Sequence, residues 1–460
     1  MTTRLIEKAG DFLEKHSDAV ANTNHIDRLA YKQYDVKRGL RNADGTGVMA
    51  GLTRIGNVRG YYMQDGEKCP MPGQLFYRGI DIEDLVGGFV AEGRFGYEET
   101  AYLILFGELP TKEELADFRA ILSDYRMLPD NFTESMILAS PSVDIMNKLA
   151  RSILSLYSYD PNPEPNGDIT KELDKALRLI ACTPVIVANA FAAKRHYYDN
   201  ESLHLHRPNS DLSLAENFLY SVRMDNSFTE EEARLLDLCL VLHAEHGGGN
   251  NSAFACRVLS SSGTDIYSAI AAAVGSLKGP KHGGANIKVM QMFDHVKRDV
   301  SNWTDEEELR AYLRKVLRKE AGLGDGLIYG MGHAVYTTSD PRAVLLKDMA
   351  RGLAEEKGYE KEFSLLEAVE RLAPAAFADE DRSDKTLCAN VDMYSGLVYQ
   401  MLDIPSELYT PLFAIARMVG WCAHRIEEIA NLNRIMRPAY KALIDETEYI
   451  PLPLRSGTTA

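Results

Sequence analysis

The 460-residue sequence is short of basic residues, since 51 Lys and Arg stand against 67 Asp and Glu, a formal net charge of -16. A protein that binds nucleic acid through a broad surface needs the opposite balance, so the composition argues against that class. An anionic ligand remains compatible with it, because a few local Arg and Lys side chains can hold a phosphate or a carboxylate.

Cysteine pairs and long apolar runs are also lacking. The chain has no CxxC pair, which argues against a zinc site or a disulfide framework and favours a reducing compartment. The first twenty residues have acidic residues throughout and lack the apolar core of a signal peptide. Apolar runs such as residues 184–193, which stop at Lys194, are too short to span a bilayer. We therefore expect a cytoplasmic protein that does not enter a membrane.

Helical patterns dominate what is present. Candidate capping boxes pair Thr111 with Glu114, Thr229 with Glu232 and Thr304 with Glu307. Gly322 is placed to end the third of these helices, and Pro411 suits the first position of a long helix running to about Ala430. Strand patterns are confined to residues 51–62 and 74–77. The sequence predicts an all-α fold with a few short N-terminal strands. The acidic, Ala-rich residues 373–384 are expected to form an exposed connection near a hinge.

The first group of residues with chemical potential is His243-Ala-Glu245-His246-Gly-Gly-Gly-Asn250, at the end of an apolar pattern. Two His and a carboxylate can bind zinc, but the usual helical zinc signature places its two His four residues apart, and here they are three apart. The alternative is a helix C-terminus that unwinds into a loop. Three consecutive glycines allow a ligand to approach the backbone closely, where His246 and Asn250 can donate hydrogen bonds to it.

A second candidate is His282, flanked by Pro280, Gly283 and Gly284 and followed by a helical pattern. A histidine just before a helix N-terminus is disfavoured as imidazolium by the positive end of the helix dipole. It can then act as a neutral donor to a carbonyl oxygen. The structural alternative is a histidine that caps its own loop.

The third candidate is His333, which follows Gly330 and Gly332 and precedes Asp340-Pro-Arg342. A dinucleotide-binding fingerprint fails here on spacing and on the preceding helical pattern. Arg342 has the geometry to bind a carboxylate through two hydrogen bonds. Asp392 opens an apolar helical pattern, and taken alone it is best explained as an ordinary helix N-cap.

These segments, taken together and in this order, resemble the citrate synthase family. The matching patterns are of the types HxxHxGGN, GPxHGxAN, GxGHxV…DPR and NVDxxSG, and residues 73–85 and 409–417 add two further segments. The resemblance implies a large and a small helical domain. We assign residues 1–288 and 395–460 to the large domain and residues 289–394 to the small one.

The resemblance also implies an acyltransferase of the tricarboxylic acid cycle that condenses acetyl-CoA with oxaloacetate and hydrolyses citryl-CoA. In it, Asp392 is the general base, His282 stabilises the enol and His333 lies beside the ketone of oxaloacetate. The implied oxaloacetate contacts are His246, Asn250, Arg342, Arg417 and Arg437, the last contributed across the interface of a homodimer. Lys385 matches a basic CoA contact. Neither a metal nor another cofactor is implied, and no nucleic-acid or membrane partner.

Two alternatives remain open at the level of sequence. A 2-methylcitrate synthase would use propionyl-CoA with the same catalytic groups, and one extra methylene is discriminated by only about 1–3 kcal/mol. A non-catalytic protein that binds CoA or a partner on the same scaffold is the other. The chain also departs from its relatives after His333, since Tyr336, Thr337 and Thr338 stand where relatives often carry a basic residue that meets a CoA phosphate.

Overall fold

Helices form most of the chain, as the sequence predicts. The computed structural model describes residues 14, 17–18, 20–42, 44–164, 167–382, 387–431 and 434–455. By contacts the chain divides into two units, Met1–Leu52 and Thr53–Ala460. In the first unit a short helix, α1 (Arg28–Gln33), begins at Asp27, whose carboxylate accepts the amide of Leu29. A turn at Arg38–Leu40 and an antiparallel bridge between Arg41 and Gly47 follow.

The second unit opens with a small antiparallel sheet in the region where the sequence predicts strands. Its strands are β1 (Gly56–Gln64), β2 (Glu67–Tyr77) and the two-residue β3 (Ile80–Asp81), in the order β1-β2-β3. The register between β1 and β2 shifts between Arg59 and Tyr61. Asp81 ends the sheet and caps the next helix by accepting the amide of Glu83.

Helices then follow to residue 430. They are α2 (Ile82–Ala91), α3 (Tyr97–Phe106), α4 (Lys112–Tyr125), α5 (Ile145–Leu156), α6 (Ile169–Tyr198), α7 (Leu214–Val222), α8 (Glu230–His243), α9 (Asn251–Ser261), α10 (Ile266–Lys278), α11 (Ala285–Asp299), α12 (Glu306–Leu317), α13 (Pro341–Glu356), α14 (Glu360–Asp379), α15 (Asp392–Met401) and α16 (Tyr409–Ala430). A π-helical turn at Thr133–Leu138 and 3-10 turns at Tyr157–Tyr159, Ser406–Leu408 and Leu452–Leu454 complete the elements.

The predicted helix starts are confirmed at two of three capping boxes. Thr111 and Thr229 each accept the amide of the glutamate three residues later, which bonds back to the cap. The box predicted at Thr304 is wrong. Asp305 caps α12 instead, and its carboxylate accepts the backbone amides of Glu307 and Glu308. Aspartate is a more effective N-cap than the hydroxyl of a threonine such as Thr304.

Two further expectations about helix ends need correction. α12 ends at Leu317, and Lys319, with φ 68°, is the left-handed residue that follows the helix end; Gly322 is left-handed too, with φ 64°, but it lies further along the loop. Residues 373–379 belong to the last turns of α14 and do not form an exposed connection, since Ala373 and Ala376 are buried. Pro411 lies in the first turn of α16, although at its third position.

The core of the second unit surrounds two long helices, α6 and α16. α16 packs against α3, α6, α8, α9 and α10, and Trp421 on it is fully buried. Among the described residues, α6 alone is long and apolar enough to cross a membrane, and it extends well beyond residues 184–193. However, 83% of its most apolar 18-residue stretch is buried inside the protein, so α6 is a core helix.

Candidate functional site

The loop with His246 and Asn250 begins where α8 ends. Tyr77 of β2 stabilises that end, because its hydroxyl lies 3.0 Å from the carbonyl oxygen of Val241 and 3.1 Å from that of Glu245. Gly247, with φ 81°, turns the chain, and Asn250 caps α9 by accepting the amide of Ser252 at 3.3 Å. His246 and Asn250 therefore lie between two helix ends, as the sequence predicts.

Glu245 anchors this loop through hydrogen bonds of its buried carboxylate. Its Oε1 accepts the amide of Gly247 at 2.5 Å and lies 2.9 Å from Nε2 of His424, which in turn contacts Arg257. Burial alone would raise the pKa of Glu245, but His424 and Arg417 hold that pKa below its ordinary value. Within the described part of the chain, no group of three or more His, Cys, Asp or Glu side chains could hold a metal ion.

His282 lies in a tight turn just ahead of α11, which begins at Ala285. Gly283 follows it and must be glycine, since an added Cβ would lie 2.2 Å from the carbonyl oxygen of Leu277. Thr410 of α16 donates to the carbonyl of Gly283 at 3.0 Å and so fixes the turn. Burial and then the nearby Arg417 lower the pKa of His282 to about 4, which leaves the imidazole neutral at pH 7.

Ser252 holds the ring of His282. Its Oγ lies 3.1 Å from Nε2 of His282 and 2.8 Å from Oδ1 of Asn250, and it accepts the indole N–H of Trp421 at 3.1 Å. The hydroxyl has one proton to give. Oδ1 of Asn250, which can only accept, competes with Nε2 of His282 for that proton, and only when Nε2 receives it is Nδ1 of His282 the donor that a bound carbonyl oxygen would meet.

His333 is fixed by its own backbone. Its Nδ1 accepts the amides of Val335 and Tyr336, each at 3.0 Å, so that the proton resides on Nε2. Gly330 and Gly332 have φ 82° and 94°, which only glycine adopts without strain. His333 is therefore held with its Nε2–H in a defined direction.

The His333 loop pairs with the residues that lead to Asp392. Met331 and Ala389 form an antiparallel bridge, and the amide of Gly332 donates to the carbonyl of Cys388 at 2.8 Å. Asn390 adds a side-chain link by donating to the carbonyl of Gly332 and accepting the amide of Asp392. The two paired segments together carry two of the catalytic candidates, His333 and Asp392.

Asp392 is the first residue of α15 and does not cap it. The cap position is Val391, and no side chain caps this helix. Burial raises the pKa of Asp392 from its ordinary value of 3.8 to about 6, with Arg342 opposing and Asp340 adding to the shift. The interpretation as an ordinary N-cap is therefore wrong, and a carboxylate with this pKa suits a general base.

Two buried arginines supply positive charge to the site. Arg417 donates from Nε to the carbonyl of His243 at 2.6 Å, while its Nη1 and Nη2 have no partner among the described residues. Arg342 is held by Asp340, which accepts from its Nε at 3.0 Å and its Nη2 at 2.7 Å. Burial lowers the pKa of Arg417 to about 10, so it remains charged at pH 7.

Two predicted residues are not brought to this group. Arg437 lies exposed in residues 434–451, which have neither helix nor strand, and Lys385 lies outside the described residues. Ser252, Asn390 and Tyr336 have no role predicted from the sequence, although each stands within or beside a motif that carries a candidate residue. The feature that could have identified them is a polar side chain two or three residues from a candidate residue, since such neighbours often contact its backbone or ring.

Comparisons with known proteins agree with this geometry. Residues 42–439 match the family model described as citrate synthase, C-terminal domain. The citrate synthase of Synechocystis sp. is 35% identical over 90% of this chain and 94% of its own, and that of Deinococcus radiodurans is 39% identical over 74% and 84%.

Solved structures give the same result. The citrate synthase of Pyrobaculum aerophilum superimposes with a TM-score of 0.71 at 32% identity, over 89% of this chain and 94% of that one. That of Thermoplasma acidophilum, solved as a ternary complex with carboxymethyl coenzyme A and oxaloacetate, gives 0.73 at 27% identity, over 91% and 99%. The chain belongs to the citrate synthase family, whose enzymes condense acetyl-CoA with oxaloacetate to form citrate.

Proposed function

We propose that Asp392 removes a proton from the methyl group of acetyl-CoA while His282 donates a hydrogen bond to the thioester oxygen. The methyl group is a very weak acid, so the carboxylate can act only if the enolate oxygen is stabilised as charge develops. A preorganised donor of this kind contributes roughly 3–4 kcal/mol. The observation that carries the proposal is Asp392 itself, a carboxylate that caps nothing and whose pKa is about 6.

His333 completes the condensation. The enol carbon attacks the ketone carbon of oxaloacetate, and the Nε2 proton of His333 passes to the ketone oxygen as the carbon–carbon bond forms. Water then cleaves the thioester of citryl-CoA to release citrate and CoA. Each step moves protons and electron pairs only, so the proposed reaction requires neither a metal nor a redox cofactor.

Oxaloacetate is proposed to bind through Arg342, Arg417, His246 and Asn250. The free Nη1 and Nη2 groups of Arg417 present two parallel N–H donors, the arrangement that a carboxylate accepts. The Thermoplasma acidophilum relative was solved with oxaloacetate and a CoA analogue, which supports the same pair of substrates here. For CoA, Lys385 remains the proposed basic contact.

A homodimer is the second part of the proposal, with Arg437 reaching the site of the partner subunit. The C-terminal residues 434–455 expose large apolar side chains, including Tyr440 at 94%, Ile444 at 87% and Tyr449 at 81%. Such an apolar segment gains stability by packing on another chain. The six cysteines are free thiols, which supports the proposed cytoplasmic location.

A thiol-release assay with oxaloacetate tests the reaction. The purified chain should release CoA from acetyl-CoA only when oxaloacetate is present, form citrate, and do so undiminished in a chelator. Propionyl-CoA at matched concentration should react more slowly, since the relatives named above are citrate synthases. Absence of oxaloacetate-dependent CoA release would contradict the proposal.

Mixed dimers test the role of Arg437. Asp392→Asn and Arg437→Ala chains, each inactive alone, are unfolded together and refolded. If Arg437 acts in the partner's site, each heterodimer regains one intact site, and random mixing gives about one quarter of wild-type activity. If Arg437 serves its own chain, the mixture stays inactive.

A further inference from the structure

Tyr336 lies among three of the proposed oxaloacetate residues, although neither motif nor composition assigns it a role. Its ring stacks on that of His333 with centroids 4.4 Å apart and planes at 26°. Its hydroxyl lies 3.2 Å from Nε2 of His246, and the guanidinium of Arg342 lies 5.9 Å from its ring centroid. The side chain is only 2% exposed.

The β-hairpin holds this ring in place. An added Cβ at Gly73 would lie 2.6 Å from Cδ1 of Tyr336, and one at Gly60 would lie 2.5 Å from its Cα. Thr337 bonds to the carbonyl of Gly60 and accepts the amide of Met71 at 3.2 Å. Backbone packed this closely on both sides leaves the phenol ring no room to turn away, so the position of its hydroxyl is fixed.

The direction of the hydrogen bond follows from the protons available. Burial raises the pKa of Tyr336, so the hydroxyl keeps its proton, and a buried O–H proton needs an acceptor. Among the described residues, Nε2 of His246 is the acceptor within hydrogen-bond distance. Burial and then Arg342 lower the pKa of His246, so its ring carries a single proton. That proton is therefore on Nδ1.

We propose that Tyr336 is a positioning residue that sets the tautomer of His246 through its hydroxyl and the ring plane of His333 through stacking. The two histidines then each present one N–H, Nδ1 of His246 and Nε2 of His333, to the same substrate. This inference rests on the proposed binding of oxaloacetate by these residues. It assigns the hydroxyl to oxaloacetate binding and the ring to the orientation of His333.

Tyr336→Phe separates the two parts, because it removes the hydroxyl and keeps the stack. We expect the KM for oxaloacetate to rise about five- to tenfold, the effect of one lost hydrogen bond, while kcat and the KM for acetyl-CoA change less than about twofold. Tyr336→Leu removes the stack as well and should also lower kcat. Tyr312→Phe, which removes a hydroxyl bonded to Asp299 and contacts none of the proposed site residues through it, is the matched control.

A double-mutant cycle with His246→Ala shows whether Tyr336 acts through His246. In that background Tyr336→Phe should have no further effect on the KM for oxaloacetate. An unchanged KM in Tyr336→Phe, an undiminished effect in the His246→Ala background, or failure of Tyr336→Phe to fold at the assay temperature would each overturn the inference. Loss of oxaloacetate-dependent turnover in the wild type would instead refute the proposed function.

Discussion

Asn390 donates from its side-chain amide to the carbonyl of Gly332 at 2.9 Å, and its side-chain oxygen accepts the amide of Asp392 at 3.0 Å. One side chain thus links the residue before His333 to the proposed base. The base and the ketone-polarising histidine must act on two substrates that meet between them. A link of this kind fixes their separation before either substrate binds.

Asn390→Ala should therefore weaken catalysis more than binding. We expect kcat to fall about 10- to 100-fold, because a small displacement of a reacting group has effects of that size, while oxaloacetate affinity stays within about threefold. Steady-state kinetics and calorimetric titration measure the two quantities. Asn431→Ala, at the exposed end of α16, is the control. An unchanged kcat would show that the link is not needed.

The pKa of Asp392 predicts an acid limb in the pH profile. Because the base must be ionised and its pKa is about 6, kcat/KM should fall tenfold per pH unit below about pH 6. His282, with a pKa of about 4, stays neutral over that range. The measurement is kcat/KM from pH 5 to 8 in buffers of constant ionic strength. A profile that is flat down to pH 5 would contradict the assignment of Asp392.

The same raised pKa makes Asp392 a cost to stability. The protonated carboxyl stabilises the fold, and this stabilisation is fully present below the unfolded pKa of 3.8 and is lost as pH rises through about 6. Above that pH the ionised carboxylate makes the folded state less stable. Asp392→Asn removes the buried charge and should stabilise the protein by about 2–3 kcal/mol at pH 8 and about half of that at pH 5. Denaturant melts at both pH values measure this. The exposed Asp348→Asn should change little, and an equal gain at both pH values would refute the explanation.

Arg417 and Arg425, two turns apart on α16 and both fully buried, provide a matched pair. Arg425 is paired with Glu172 at 3.0 Å, whereas Nη1 and Nη2 of Arg417 lack a described partner. Arg425→Met should cost about 3–5 kcal/mol of stability, because it leaves Glu172 buried alone.

Arg417→Met should instead leave ligand-free stability unchanged or raised, and weaken oxaloacetate binding at least 100-fold, about the effect of removing one partner of a buried charge pair. Thermal melts with and without oxaloacetate separate the two effects. Equal destabilisation by both substitutions would mean that Arg417 is a structural residue.

The fold class was predictable from the sequence, and glycine loops beside His246, His282 and His333 marked those side chains as candidates, because such loops leave few structural explanations for them. The end of α12 was not predictable, since Lys319 adopts a conformation usually left to glycine. Asp392 was undecidable alone, because capping and catalysis both place a carboxylate at a helix start. Only the pairing of residues 330–332 with 388–390, which brings the segment before Asp392 to the His333 loop, distinguishes the catalytic role from the capping role.

The division into domains at residues 288 and 394 stays a prediction. So do the roles of Lys385 and Arg437, because each depends on a second molecule, CoA or a partner subunit. Thr337 shows why the CoA contact could not be placed by motif. It is buried and bonds the hairpin, so its side chain forms a structural link and offers no charge to a phosphate.

The most direct test of the catalytic assignment is the rate of CoA release by Asp392→Asn, measured with calorimetric oxaloacetate binding on the same preparation. Replacing a carboxylate by its amide keeps the shape of the site and removes the base. Oxaloacetate should bind within about threefold of wild type while turnover falls at least 1000-fold, within the 10²–10⁴ range of general-base catalysis. Turnover close to wild type in a variant that binds oxaloacetate normally would contradict the assignment.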